Sequence, residues 1–151
     1  MRISLKVLIC GVVLSAMGGL AFAGFAKPED AIRYRQAVMT VIGQHFGRLA
    51  AVVKGQPPYN ADEVEHNATV LRTMADLAWE AVMVPGSDKG DTTLNASAMK
   101  EKDKFMAVAQ QFESAVQKLE ETAKSGDIEA VKVEFGEVAK SCKACHTTYR
   151  K

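Results

Sequence analysis

The sequence is poor in cysteine, with three in 151 residues. Cys10 lies in an apolar run near the start, and Cys142 and Cys145 lie among the last ten residues. Small exported domains often rely on several disulfides, but one pair of cysteines three positions apart leaves none for such a framework. The core must therefore be held together by packing or by something that the protein binds.

Residues 1–23 have the pattern of a cleaved signal peptide. Arg2 and Lys6 supply a positive start, an apolar run follows, and AFA at 21–23 is a small-x-small cleavage site. The run has two adjacent glycines and no charged stop-transfer flank, so a retained membrane span is disfavoured. The residue before Cys10 is not small, which argues against a lipoprotein anchor. We expect Cys10 to be removed with the peptide.

The predicted mature chain also lacks a strong charge of either sign. Setting aside 23 of the 151 residues leaves 128, residues 24–151, which suits a single domain. The full sequence has 19 Lys and Arg against 18 Asp and Glu, so without Arg2 and Lys6 the formal charge is −1. Nothing in this balance favours nucleic acid or an anionic membrane surface as a partner.

Sustained alternation with a period of two is absent, so we predict no strands. Apolar residues instead recur at spacings of three and four in four segments, which is typical of amphipathic helices. The predicted helices run from 28 to 53, from an Asn60 cap to Val82, from about Ala98 to Lys124, and from an Asp127 cap to Tyr149. The loop at 84–95 is long and the other connections are short. The pattern predicts an all-α, antiparallel (up-down-up-down) four-helix bundle.

The chemistry-bearing motif is CKACH at 142–146, on the last predicted helix. Helical spacing places Cys142, Cys145 and His146 on one face, and we expect all three to point into the bundle. A redox dithiol would favour a helix N-terminus, where the dipole lowers the thiol pKa, but this pair lies near a C-terminus. A structural zinc needs four ligands, and the remaining candidates, His45 and His66, are predicted to be surface residues on different helices.

Besides a redox dithiol and a zinc site, a pair of cysteines at this spacing can attach haem covalently, and this third interpretation fits best. C-x-x-C-H is the attachment signature of c-type haem, in which both thiols form thioethers and the histidine binds iron. An export signal and the shortage of other cysteines agree with this interpretation. We predict one haem c attached through Cys142 and Cys145, with His146 as an iron ligand.

The sequence resembles the class II cytochromes c, the cytochrome c-prime family of periplasmic four-helix bundles. The resemblance covers the whole mature chain, and it is carried by five stretches. These are RYRQAVM at 33–39, HFGRLAAVVKGQPPY at 45–59, the tryptophan of LAWEAV, PGSDKGD at 85–91 and CKACHTTYR at 142–150. The resemblance implies a periplasmic location and a haem-binding function.

Further site residues follow from this resemblance. Arg35 is a charge within an apolar stripe, where a buried guanidinium needs an anion, and a haem propionate supplies one. The family pattern implies the same role for Gln36 and a haem-edge contact for Asp91. Arg150 is four residues after His146, and the resemblance implies that it covers the proximal face of the haem.

Met39 lies one helical turn after Arg35 and separates two functions. The resemblance implies either that its thioether is the sixth iron ligand of an electron carrier or that its bulk fills the distal side of a five-coordinate gas binder. We expect electron transfer with a periplasmic redox partner protein, and the alternative is binding of nitric oxide or carbon monoxide. A peroxidase-like distal histidine cannot be placed, so we expect no enzyme activity. A homodimer stays open, and no membrane anchor is expected in the mature form.

Overall fold

The computed structural model of the protein describes residues 24–56 and 58–151. The predicted signal peptide at 1–23, with Cys10, lies outside the described residues. Six helices follow one another along the described chain. They are α1 (Pro28–Val53), α2 (Ala61–Met74), α3 (Leu77–Val82), α4 (Ser97–Lys100), α5 (Lys102–Ala123) and α6 (Ile128–Tyr149).

The predicted antiparallel four-helix bundle is confirmed. α1 packs against α2, α3 and α6, while α5 packs against α2 and α6, so the long helices form a closed ring around one core. The largest side chains that are fully buried include Phe105, Leu49, Leu71 and Leu119. Among the described residues there is no strand, and the one β-type pairing is an isolated bridge between Leu94 and Arg150.

The ends of the helices follow from local sequence. The side chain of Asn60 accepts a hydrogen bond from Glu63 N at the start of α2, and that of Asp127 accepts from Glu129 N and Ala130 N at the start of α6. Gly126 has a φ of 73°, a conformation that glycine adopts without steric cost, and it separates α5 from α6. These three signals confirm the predicted starts of α2 and α6 and the end of α5.

Two predicted helices are each divided in the structure. The second was expected to run unbroken to Val82, but Ala75 N bonds Arg72 O in a tighter turn and α3 begins after Asp76. The third was expected as one helix from about Ala98, but α4 ends at Lys100 and α5 starts at Lys102. Neither break contains a proline or a glycine, the residues that most often end a helix, so the sequence did not reveal it.

No helix among the described residues is both long enough and apolar enough to cross a membrane.

Candidate functional site

The CKACH motif lies in the last two turns of α6. Cys142 and Cys145 are half-buried, and both pack against the hydrophobic core cluster. Burial raises the pKa of each thiol above its ordinary value. A redox dithiol needs the opposite shift, since the thiolate is the reactive form. The environment therefore does not favour dithiol redox chemistry.

A structural zinc site at the motif is also disfavoured. No group of three or more histidine, cysteine, aspartate or glutamate side chains in the described part of the chain is arranged to hold a metal ion. A closed structural zinc site needs four such ligands. Haem attachment is the one of the three chemistries that needs only the two thiols and one histidine.

His146 is exposed, contrary to the expectation that it points into the bundle with the two half-buried cysteines, because one helical position beyond Cys145 turns it toward the outer side of α6. Partial desolvation by the surrounding protein, and secondarily the positive charge of Arg150, lowers the pKa of His146 below its ordinary value. This shift favours the neutral imidazole, which is the form that binds a metal. The local electrostatics therefore suit a role for His146 as an iron ligand.

Arg150 is the first residue after α6, which ends at Tyr149 as predicted. Its backbone is extended, with φ −113° and ψ 139°, and its N–H donates to His146 O over 3.3 Å. It forms the isolated bridge with Leu94 on the loop between α3 and α4. Arg150 is nevertheless near enough for its charge to affect the imidazole.

Arg35 is only 7% exposed, and its guanidinium is held by groups 46 to 57 residues further along the chain. Nη1 donates to Ala81 O (3.0 Å) and Ser87 Oγ (3.3 Å). Nη2 donates to Ser87 O (2.9 Å) and Thr92 Oγ1 (2.8 Å). We call this set of contacts the Arg35 clamp. Burial lowers the pKa of Arg35, but a guanidinium stays charged at neutral pH.

The acceptors of the Arg35 clamp are all neutral. Among the described residues no carboxylate forms an ion pair with Arg35. The four contacts use the terminal nitrogens, and a guanidinium has a fifth N–H, on Nε. The buried charge is thus hydrogen-bonded but not neutralised, which fits a nearby anionic group such as a haem propionate.

Gln36 and Asp91 meet beside the clamp. Gln36 Nε2 donates to Asp91 O over 3.0 Å, and both side chains are exposed. Three of the predicted site residues, Arg35, Gln36 and Asp91, are therefore brought together where α1 meets the 83–96 loop.

The same loop also contacts the C-terminal end of α6. Asn95 N donates to Tyr149 O (2.8 Å), and Lys151 N donates to Thr93 O (2.7 Å). The loop therefore connects the Arg35 clamp with the end of the helix that carries the CKACH motif.

Met39 is half-buried on α1 and packs against the core cluster that also contacts the two cysteines. Phe46 of α1 and Phe135 of α6 stack with ring centroids 4.4 Å apart and planes within 9°. These contacts join α1 and α6 through apolar and aromatic groups.

Ser87 and Thr92 were missed by sequence reasoning. Both belong to VPGSDKGDTTLN, which reads as an ordinary turn-rich segment. Their partner Arg35 is more than 50 residues away, and no local pattern signals such a contact.

The sequence is similar over most of its length to known cytochromes. The sequence profile of the cytochrome c' family matches residues 30–150. A cytochrome c' from Alcaligenes xylosoxydans xylosoxydans is 43% identical over 131 residues, 84% of this chain and 98% of that protein. A cytochrome c-556 from Agrobacterium tumefaciens is 32% identical over 120 residues, 79% of this chain and 95% of that protein.

Solved structures agree with these relatives. The nitric oxide complex of a mutant cytochrome c prime from Alcaligenes xylosoxidans has a TM-score of 0.78 and 42% identity, covering 84% of this chain and 98% of that one. A carbon monoxide-bound variant of the same protein gives the same values. Cytochrome c' from Rubrivivax gelatinosus has a TM-score of 0.80 and 38% identity, covering 84% of this chain and 99% of that one.

The Arg35 clamp generates a prediction about stability. Ser87→Ala and Thr92→Val each remove an acceptor from a buried guanidinium, and we expect each to lower the free energy of unfolding by about 1–3 kcal/mol. Thr93→Val is the matched control, because Thr93 is exposed and should change stability by less than about 0.5 kcal/mol. Urea unfolding followed by circular dichroism measures all three. Equal stability of Thr92→Val and Thr93→Val would contradict the clamp.

Proposed function

This chain belongs to the cytochrome c' family, and from that premise we propose that it is a periplasmic haem protein that binds nitric oxide or carbon monoxide. Haem c, covalently bound, is the cofactor. His146 would bind its iron, and the bulk of Met39 would restrict access to that iron. The observation that carries the proposal is the half-buried face of Cys142 and Cys145, packed against the same core cluster as Met39.

The residues present fit this cofactor. Cys142 and Cys145 would form the two thioethers, and neutral His146 would bind the iron. Arg35, held by its clamp, would offer a positive charge to a propionate at the end of the bundle where Gln36 and Asp91 also lie. Haem iron supplies a centre that cycles between Fe(III) and Fe(II) and accepts diatomic ligands.

Gas binding is preferred because of the relatives and because of the surroundings of Met39. Nitric oxide and carbon monoxide complexes are known for variants of the cytochrome c prime of Alcaligenes xylosoxidans. Met39 packs among apolar groups, and a flexible methionine is a common filler of such sites. As a plug, Met39 would restrict access to larger ligands and yield to a small diatomic one.

Electron transfer is the second candidate. The thioether of Met39 favours it, because methionine opposite histidine is a haem ligand pair that raises the reduction potential and suits electron carriers. In that case the natural partner would be a periplasmic redox protein. The two candidates share the fold and cofactor and differ in whether the Met39 sulfur binds iron.

The first prediction concerns attachment. Replacing Cys142 or Cys145 with Ala should reduce covalent haem, and replacing both should abolish it, since each thiol forms one thioether. Haem staining after denaturing electrophoresis of protein co-expressed with the maturation machinery measures this. Haem that extracts from the correctly matured wild type into acidified organic solvent would refute attachment.

A second prediction concerns Arg35. Arg35→Gln removes a positive charge, so the ferrous form should be less stabilised and the reduction potential should fall. Arg35→Lys keeps the charge and should retain more of the potential. Ser87→Ala is the control that distinguishes loss of charge from disturbance of the loop, because it weakens the clamp and leaves the guanidinium charged. An Arg35→Gln potential equal to that of the wild type would place the charge away from the haem.

Met39 decides between gas binding and electron transfer. If it is a plug, the ferric protein should be high-spin, and Met39→Leu should change carbon monoxide binding rates without changing spin state, since leucine keeps the bulk. Met39→Ala should bind carbon monoxide faster. Optical and EPR spectra with stopped-flow mixing measure these effects. A low-spin wild type whose near-infrared sulfur-to-iron band disappears in Met39→Leu would favour electron transfer instead.

A further inference from the structure

Two histidines that were expected to be separate surface residues lie side by side. His45 of α1 and His66 of α2 have ring centroids 5.9 Å apart, with an angle of 64° between the ring planes. His66 is exposed as predicted, but His45 is half-buried. The contact lies where α1 packs against α2, and it involves none of the residues of the CKACH motif.

A buried asparagine determines which ring nitrogen of His45 carries the hydrogen. Asn67 is 7% exposed, and its Nδ2 donates to Glu63 O over 2.6 Å. That bond orients the amide so that Oδ1 accepts from His45 Nδ1 over 2.8 Å. In the neutral imidazole this bond puts the proton on Nδ1 and the lone pair on Nε2. Metal-binding histidines are held in this way, by a hydrogen bond from the other ring nitrogen.

The separation of the two rings fits a shared metal ion. With nitrogen–metal distances of about 2.0–2.1 Å, two imidazoles on one ion have centroids roughly 4.5 to 6.4 Å apart for angles at the metal of roughly 90° to 180°. The observed 5.9 Å is within that range. His66 is exposed, so its side chain can rotate to direct a ring nitrogen at the ion without disturbing the core.

A cleft of about 370 Å³ opens beside His66. Its lining includes Arg48, Glu63, His66 and Asn67, but not His45. Since no third histidine, cysteine or acidic side chain of the described chain completes a site, water would occupy the other positions. The charge of Arg48 opposes a cation and limits the affinity.

We propose that His45 and His66 form a binding site for a late first-row divalent cation such as Zn(II) or Cu(II), with Asn67 as a positioning residue. Imidazole suits these ions, whereas Mg(II) and Ca(II) prefer oxygen ligands. The site lies two helical turns beyond Met39 on α1 and is separate from the haem-attachment motif. Its test is therefore independent of the function proposed above.

Calorimetric titration of the holoprotein with zinc chloride tests the proposal, because Zn(II) has no redox chemistry and leaves the iron unchanged. We expect one saturable site in the wild type and at least a tenfold loss of affinity in His66→Gln and in His45→Gln. Glu65→Gln is the matched control on α2, and its affinity should equal that of the wild type.

Asn67 provides an independent check. Removing a hydrogen-bond partner of a metal-binding histidine typically costs about 10–100-fold in affinity, so Asn67→Ala should weaken zinc binding while both imidazoles remain. Thermal unfolding without zinc identifies any loss of fold in this variant. Equal zinc affinity of the wild type and His66→Gln would overturn the proposal, and so would the lack of a saturable site in the wild type.

Discussion

The guanidinium of Arg35 places a full positive charge inside a bundle whose other buried side chains are almost all apolar. A buried charge is tolerated only when its hydrogen-bonding groups are matched. All of its acceptors come from the end of α3 and the loop that follows, at Ala81, Ser87 and Thr92. The loop must therefore keep one conformation for Arg35 to remain in the bundle, and the contact between Gln36 and Asp91 depends on that conformation.

The same loop determines how α1 and α6 meet. Asn95 and Thr93 bond the backbone beyond the CKACH motif, at Tyr149 and Lys151. Ser87 and Thr92 of the same loop hold Arg35, one turn before Met39. Both α6, which carries the cysteines, and α1, which carries Met39, are thus held by polar contacts to this loop at one end of the bundle. Stacking of Phe46 on Phe135 adds an apolar contact between them.

Whether this bundle binds a gas or transfers electrons depends on one flexible side chain, that of Met39. Fold, attachment motif and charge environment are the same for a gas binder and for an electron carrier, and Met39 offers both bulk and a sulfur ligand. Bulk acts through repulsion and is insensitive to small shifts, whereas ligation needs the sulfur at bonding distance with its lone pair directed at iron. The two functions therefore differ in whether the Met39 sulfur, at the end of a side chain with three rotatable bonds, comes within bonding distance of iron.

The sequence by itself determined what depends on neighbours along the chain. Helical stripes predicted the bundle, Asn60, Asp127 and Gly126 marked helix ends, and the spacing of Cys142, Cys145 and His146 placed them together on α6. Tertiary structure alone decided which distant groups meet. It gave Arg35 its partners on the loop, paired Arg150 with Leu94, and brought His45 beside His66. The physical reason is that a helix fixes relations between residues three or four apart, while contacts between elements depend on how whole surfaces pack.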